Sequence, residues 1–129
     1  MIWKPAIVQK QVLNLQQIKL MNPTLPPLNV PAVLAQFGLR PSKGLGQNFL
    51  VDDFILQEIV SRAGINSQDT VLEIGPGLGS LTRHLALVAG KVVAVELDRK
   101  LFPALESILS PFNNILLVQG DILETEISG

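Results

Sequence analysis

Apolar positions recur with two different spacings along residues 52–129, and the alternation of the two spacings predicts the fold. Three short apolar runs, TVLEI, KVVAV and ILLV, have the length and the β-branched composition of buried strands. Stripes with apolar residues three and four positions apart precede the first run and separate the three runs. Strands that alternate with helices of about ten residues indicate right-handed crossovers and a parallel sheet covered on both faces. We therefore predict an α/β, Rossmann-like fold.

The residues at the ends of these helical stripes are typical helix caps and stops. Side chains of Asp accept hydrogen bonds from the first turn of a helix, and Gly or Pro ends it. A shorter helix is also expected upstream, from Val33 to Gly38. The expected caps are Asp52 or Asp53 for the first main helix and Asp98 for the third, and the second is expected to begin at about Ser80. The expected stops are Gly64, Gly90 and Pro111.

Residues 1–31 differ from the rest of the chain, and we expect them to form a peripheral arm, extended or partly helical. Val8, Val12 and Leu15 fall on one helical stripe in a segment rich in Gln. The stretch NPTLPPLNVP then has four prolines in ten residues, a density that breaks helices. The arm is expected to precede a single domain that occupies residues 32–129.

The net charge of −1 hides an uneven distribution of charged residues. Residues 1–51 have five basic residues and no acidic one, whereas residues 52–129 have five basic and eleven acidic residues, so the two parts carry +5 and −6. A basic leader can attract a polyanion such as RNA, although five charges in about fifty residues make a dilute field. The chain has no cysteine and no apolar run of the ~20 residues that a membrane span needs. The single histidine, His84, falls in a helical stripe and is expected to be a packing or surface residue.

The stretch VLEIGPGLGSLT places glycines at 75, 77 and 79 between the first predicted strand and the next helix. Such glycines allow a tight turn and let a ligand approach the backbone closely, beside the free N–H groups of a helix N-terminus. Ligands of open parallel sheets bind beyond the carboxyl ends of the strands. Glu73, Glu96 and Asp121 lie at these ends, one for each strand. The alternative is a tight turn that binds nothing.

A dinucleotide is the first ligand to consider for this turn, but three details argue against it. The spacing G-x-G-x-x-G is not met, because the third glycine comes one residue early. Pro76 removes an N–H donor from the turn, and Glu73 would add negative charge beside a pyrophosphate. A ligand with an adenosine, a cationic centre and no phosphate fits better. S-adenosylmethionine is such a ligand, and its ribose hydroxyls and adenine amine both suit carboxylate acceptors.

Four segments, SKGLGQNFLVD, VLEIGPGLGSLT, VVAVELD and GDIL, closely resemble in order and spacing the ribosomal RNA adenine N6-dimethyltransferases whose loss gives kasugamycin resistance. The resemblance runs from Pro41 to about Leu123, and GLGQNFL is its most specific part. It implies a class I S-adenosylmethionine-dependent methyltransferase fold, of which this chain would contain the first three βα units in residues 32–129. It also implies two successive methyl transfers to adenosines of small-subunit rRNA during ribosome biogenesis.

The same resemblance implies a cofactor-binding role for nine residues. Two of them, Phe49 and Leu50, are equally typical of a hydrophobic core, and a turn cap is the less favoured alternative for Asp121. No metal site and no membrane are implied, and the expected partner of a cytoplasmic, monomeric enzyme is small-subunit rRNA or a pre-ribosomal particle. By the resemblance, Asn48 and Leu50 close over the cofactor, Gly75 contacts its methionine part, Glu96 holds the ribose hydroxyls, Asp121 accepts from the adenine amine, and Gln47, Phe49, Glu73 and Gly77 line the same pocket.

One family motif has no counterpart in the sequence. Members of the family have an Asn-x-Pro-aromatic motif at the end of the fourth strand, where it binds the flipped target adenine. This chain has no tyrosine and no proline after Pro111. We therefore expect an N-terminal part of a longer enzyme, with no catalytic residue of its own, no activity by itself and an apolar open edge beside the first strand.

Three other functions remain open at this point. The target is a large-subunit adenine in the macrolide-resistance methyltransferases, which share these motifs. A non-catalytic RNA-binding, assembly or transcription-factor module could have the same fold without the chemistry. A dinucleotide oxidoreductase is the most distant alternative.

Overall fold

The computed structural model describes residues 2–3, 25–40 and 52–124. The three apolar runs all form strands, and helices separate them, as the sequence predicts. The elements are β1 (Ile2–Trp3), α1 (Val30–Gln36), α2 (Asp53–Arg62), β2 (Thr70–Ile74), α3 (Ser80–Val88), β3 (Lys91–Glu96), a 3-10 helix (Arg99–Leu101), α4 (Phe102–Leu109) and β4 (Ile115–Gln119).

The strands form one sheet in the order β1-β2-β3-β4. Strands β2, β3 and β4 are parallel, and their register places Val71 beside Val92 and Val92 beside Ile115. The short β1 is antiparallel to β2, with Ile2 opposite Glu73. The expectation of an open edge beside the first predicted strand is therefore wrong for part of β2, because the backbone groups of that edge are available to any extended segment and β1 pairs with them.

Two hydrophobic clusters form the core within the part of the chain that the structure describes. One joins β2 and β3 to the helices α2 and α3, and its members Val71, Leu85 and Val92 are fully buried. The other joins α1, the glycine-rich turn and the start of α4 through Val30 and Leu78, among other residues. Strand β3 is buried from its second residue to its last, which is typical of a central parallel strand.

Helix α1 begins three residues before the predicted start at Val33. Asn29 caps it by accepting a hydrogen bond from the amide of Ala32 at 3.0 Å. Pro31 does not break the helix, because a proline in the first turn has no intrahelical N–H bond to lose. Gly38 has a φ of 62° after the last turn, as a helix stop requires.

Helices α2 and α4 keep most of their predicted ends. Asp52 caps α2 by accepting from the amide of Phe54 at 2.7 Å, and Gly64 follows the helix with a φ of 63°. Asp98 caps the 3-10 helix that leads directly into α4, so the predicted helix begins in the tighter form. Helix α4 ends at Leu109, before Pro111 is reached. The helical stripe predicted at Val8, Val12 and Leu15 lies outside the described residues.

Helix α3 ends two residues before its predicted stop at Gly90, as α2 does before Gly64, but it does not end through a left-handed glycine. The helix ends at Val88, and Ala89 is already extended, with φ of −77° and ψ of 155°. The side-chain amide of Asn114 donates to the carbonyl oxygens of Ala86 (2.9 Å) and Ala89 (3.1 Å), and so replaces the missing helical bonds. Gly90 has a different role: a Cβ there would lie 2.3 Å from the carbonyl oxygen of Ser67.

Candidate cofactor-binding site

The turn between β2 and α3 is held in a shape that only glycine adopts easily. Gly75, Gly77 and Gly79 have φ angles of 74°, 63° and 82°. A Cβ at Gly75 would meet no atom within 4 Å, so the backbone there faces open space. A Cβ at Gly79 would lie 3.0 Å from Cδ2 of Leu109, so this glycine is needed for packing. The first glycine therefore exposes backbone to a ligand, and the third lets α3 pack closely against α4.

Three backbone amides fix the turn. The amide of Gly75 donates to the carbonyl oxygen of Val95 at 2.9 Å, and the amide of Gly79 donates to that of Pro76 at 2.9 Å. The amide of Gly77 donates to Oε1 of Glu96, also at 2.9 Å. The turn after β2 is thus bonded directly to the end of β3.

Glu96 is the centre of this arrangement and is only 5% exposed. Its Oε1 accepts from Gly77, and its Oε2 accepts from the amide of Asp98 at 2.9 Å. A carboxyl oxygen has two lone pairs, so each oxygen can accept a second hydrogen bond. The side chain therefore holds the glycine-rich turn and the loop after β3 together, and it retains acceptor capacity for a ligand.

Glu73 lies under the turn and is 4% exposed. Its Oε1 accepts a 2.5 Å hydrogen bond from the hydroxyl of Thr82, which is fully buried on α3. Burial raises the pKa of the Glu73 carboxyl from its ordinary value of 4.5 to about 7. The hydrogen bond from Thr82 lowers this pKa, and the neighbouring Glu96 raises it. Glu73 is thus a buried carboxyl group with a partner from the protein itself.

Asp121 follows β4 and lies at the same end of the sheet as Glu96. The amide of Gly120 donates to the carbonyl oxygen of Glu96 at 2.9 Å, which brings the two strand ends together. Oδ1 of Asp121 accepts from the amide of Leu123 at 2.9 Å, as a turn cap does. The turn-cap alternative is therefore present in the structure, and the contact with an adenine stays a prediction.

The structure brings five of the nine predicted site residues to the carboxyl end of the sheet. These are Glu73, Gly75, Gly77, Glu96 and Asp121. The other four, Gln47, Asn48, Phe49 and Leu50, lie outside the described residues. Within the described ranges, no group of three His, Cys, Asp or Glu side chains is suited to a metal ion, and no helix is long and apolar enough to cross a membrane.

Sequence reasoning missed the partners of several buried polar side chains. Thr82 was not singled out, although a hydroxyl in the first turn of α3 was the available signal for its bond to Glu73. No sequence signal indicated that Arg83 would be buried and bonded to Pro26. His84 is 4% exposed and lies 3.0 Å from Asp53 on α2, which fits the packing role expected for it.

Curated relatives and solved structures agree with this geometry. The chain is 45% identical over 102 residues to ribosomal RNA small subunit methyltransferase A of Lysinibacillus sphaericus, which covers 79% of this chain and 35% of that protein. It is 47% identical over 95 residues to the protein of the same name from Listeria welshimeri, which covers 74% and 32%. The chain thus spans about a third of the length of these relatives.

Two solved structures share the fold at substantial identity. A dimethyladenosine transferase from Plasmodium falciparum superposes with a TM-score of 0.57 at 32% identity, covering 64% of this chain and 30% of that one. The 23S rRNA methyltransferase ErmE superposes with a TM-score of 0.58 at 40% identity, covering 63% and 33%. The predicted class I methyltransferase fold is confirmed. The family model described as ribosomal RNA adenine dimethylase matches residues 39–129, and this chain belongs to that family.

Proposed function

We propose that this chain is the cofactor-binding part of an enzyme that transfers methyl groups from S-adenosylmethionine to adenosines of small-subunit rRNA. The observation that carries the proposal is the hydrogen bond from the amide of Gly77 to Glu96, which joins the glycine-rich turn to an acidic side chain at the carboxyl end of the sheet. Membership of the family and the names of the small-subunit relatives support the choice of reaction and of substrate.

The residues of the site fit the cofactor. Gly75 leaves open space at the turn for the methionine part, and Pro76 has no N–H to offer a phosphate. The remaining lone pairs of Glu96 would accept from the ribose hydroxyls, and Asp121 would accept from the adenine amine. Gln47, Asn48, Phe49 and Leu50 would close over the ligand. When bound, S-adenosylmethionine supplies an electrophilic methyl group on a sulfonium centre.

The wider setting of the enzyme belongs to the same proposal. Its partner would be small-subunit rRNA or a pre-ribosomal particle, and the basic leader in residues 1–51 would assist the approach of a polyanion. The complete enzyme would act as a monomer in the cytoplasm, without a metal ion.

Calorimetric titration with S-adenosylmethionine tests the cofactor assignment. A charged acceptor contributes about 1.5 to 3 kcal/mol for each hydrogen bond, and Glu96 would accept two, so Glu96→Ala should weaken binding by at least about a hundredfold. Glu106→Ala, at an exposed position of α4, is the matched control and should leave the dissociation constant unchanged. Urea unfolding shows that each variant is folded. An unaltered affinity in folded Glu96→Ala would contradict the ribose assignment, and no binding by the unmutated chain would contradict the proposed function.

A second experiment concerns the transfer step. The exocyclic amine of adenine is a poor nucleophile because its lone pair is delocalised into the ring, so transfer needs acceptors that align the amine with the methyl group. In this proposal Glu96 and Asp121 are occupied by the cofactor and Glu73 by Thr82. The 129-residue chain should therefore bind the cofactor without methylating unmethylated small-subunit particles. Dimethyladenosine formed above a no-enzyme control, scored with tritiated S-adenosylmethionine, would show that the catalytic groups lie within these residues.

A further inference from the structure

Arg83 on α3 is a buried cation, only 7% exposed. Its Nη2 donates to the carbonyl oxygen of Pro26 at 2.5 Å, and its Nη1 is buried without a hydrogen-bond partner. The two ion pairs found among the described residues, Arg62 with Glu58 and His84 with Asp53, do not include it. Burying a charge without an opposite charge lowers stability, so an apolar side chain of similar length would suit this position better if packing were its purpose.

The hydrogen bond to Pro26 fixes the start of a segment that ends in the core. Residues 26–30 run from the Arg83 contact to Val30, the first residue of α1, which is 7% exposed. Asn29 caps α1 and so sets the direction in which the helix leaves the segment. The Arg83 contact thus restricts the path of the chain four residues before Val30.

Val30 packs in the same cluster as Leu78, Leu101 and Ala104. Leu78 is the residue between Gly77 and Gly79 of the glycine-rich turn, and it is 1% exposed. Leu101 is the last residue of the 3-10 helix that Asp98 caps, and the amide of Asp98 donates to Glu96. The cluster thus contains residues next to both of the loops that Glu96 joins by hydrogen bonds.

We propose that Arg83 is a positioning residue: by holding Pro26 it keeps residues 26–30 packed behind Leu78 and thereby keeps the glycine-rich turn in its binding shape. The part of this inference that concerns cofactor affinity rests on the proposed function. The part that concerns the shape of the turn does not, because it is measurable without any ligand.

The test compares Arg83→Met, Arg83→Lys and a control, Arg62→Met, in the complete 129-residue chain. Met keeps an unbranched side chain as far as the position of Nε and removes the donors. Lys keeps one donor, and since only one nitrogen of Arg83 is bonded, Lys can replace it. Arg62 makes an exposed pair with Glu58 on α2, so its replacement repeats the chemical change away from the turn. The measurements are residue-resolved amide exchange without ligand, urea unfolding and the dissociation constant for S-adenosylmethionine.

A positioning role predicts a combination of exchange, affinity and unfolding results that a purely structural role does not. In Arg83→Met, exchange at the amides of Gly77 and Gly79 should accelerate about tenfold relative to that of Val93 in β3, and the cofactor should bind about tenfold more weakly, the equivalent of one hydrogen bond with a charged donor. The urea midpoint should stay the same or rise, because a buried unpaired charge is removed. Arg83→Lys should restore exchange and affinity, and Arg62→Met should change neither.

Two results would overturn the inference. One is Arg83→Met with a lower urea midpoint and uniform acceleration of exchange, which indicates a role in stability alone. The other is unchanged exchange at Gly77 and Gly79. If the unmutated chain binds no S-adenosylmethionine, the proposed function fails, and the exchange data still decide whether Arg83 positions the turn. If Arg83→Met does not fold, Val30→Ala tests the same support from the other end of residues 26–30.

Discussion

Replacing Glu73 by glutamine should remove a pH dependence that is built into the fold. The carboxyl group is 4% exposed, and burial raises its pKa from 4.5 to about 7. Glutamine has nearly the same shape, stays neutral at every pH and can still accept the hydrogen bond from Thr82. The substitution therefore isolates the consequence of the negative charge.

The direction of the effect follows from the direction of the shift. Between pH 4.5 and about 7 the folded chain holds a proton on Glu73 that the unfolded chain has released, so the free energy of unfolding falls as the pH rises through this window. The rise in pKa, at about 1.4 kcal/mol per pH unit, corresponds to about 3 kcal/mol in total. Above pH 7 the loss is complete, and below pH 4.5 it is absent.

Urea unfolding at half-unit steps from pH 4.5 to pH 8 measures this contribution. We expect Glu73→Gln to match the unmutated chain near pH 4.5 and to be more stable by up to about 3 kcal/mol at pH 8. Glu106→Gln, at an exposed position of α4, is the control and should give a profile parallel to that of the unmutated chain. A constant difference between Glu73→Gln and the unmutated chain across the whole range would refute the reasoning, because it would mean that Glu73 does not titrate in this window.

Two further substitutions test the contacts at the two ends of α3, both by urea unfolding. Gly79→Ala should lower the free energy of unfolding by more than Gly38→Ala: both residues have a left-handed φ, which costs about 1 to 2 kcal/mol in an L-residue, but only at Gly79 would the new Cβ press on Leu109. Equal losses of unfolding free energy would show that the Leu109 side chain moves aside without a cost in stability. Asn114→Ala should cost about 1 to 3 kcal/mol, since it removes two hydrogen bonds to the end of α3. A loss of less than 0.5 kcal/mol, of the order of a neutral surface change, would contradict the capping role.

The strands and the rim of the site were predictable because both depend on local patterns. The β-branched runs around Val71 and Val92 predict buried parallel strands, and the carboxyl ends of parallel strands lie at the same edge of the sheet. The proximity of Gly77 and Glu96 follows from that topology. The topology does not predict which amides donate to the two carboxyl oxygens of Glu96. These hydrogen bonds depend on the exact path of two turns, which a sequence pattern does not specify.

The errors and omissions have a common physical cause. The sequence predicts Gly90 as the stop of α3, but the carbonyl groups at the end of this helix accept from Asn114, which lies 25 positions after Ala89. The burial of Arg83 was not predictable, because its partner Pro26 lies 57 positions away in the sequence. Bonds between a side chain and a distant backbone group have no periodicity and no characteristic spacing, so a single sequence carries no trace of them.

The order of the strands has a consequence for how the chain folds. Each of β3 and β4 pairs with the strand that directly precedes it in the sequence, so the parallel part of the sheet can grow in the order in which a ribosome synthesises it. The pairing of Ile2 and Trp3 with β2 instead joins residues far apart in the sequence, and it closes a loop that contains both α1 and α2. The entropy of closing that loop is recovered only after β2 is in place. We therefore expect Ile2 and Trp3 to reach their positions in the sheet after β2 has formed, although they precede β2 in the sequence.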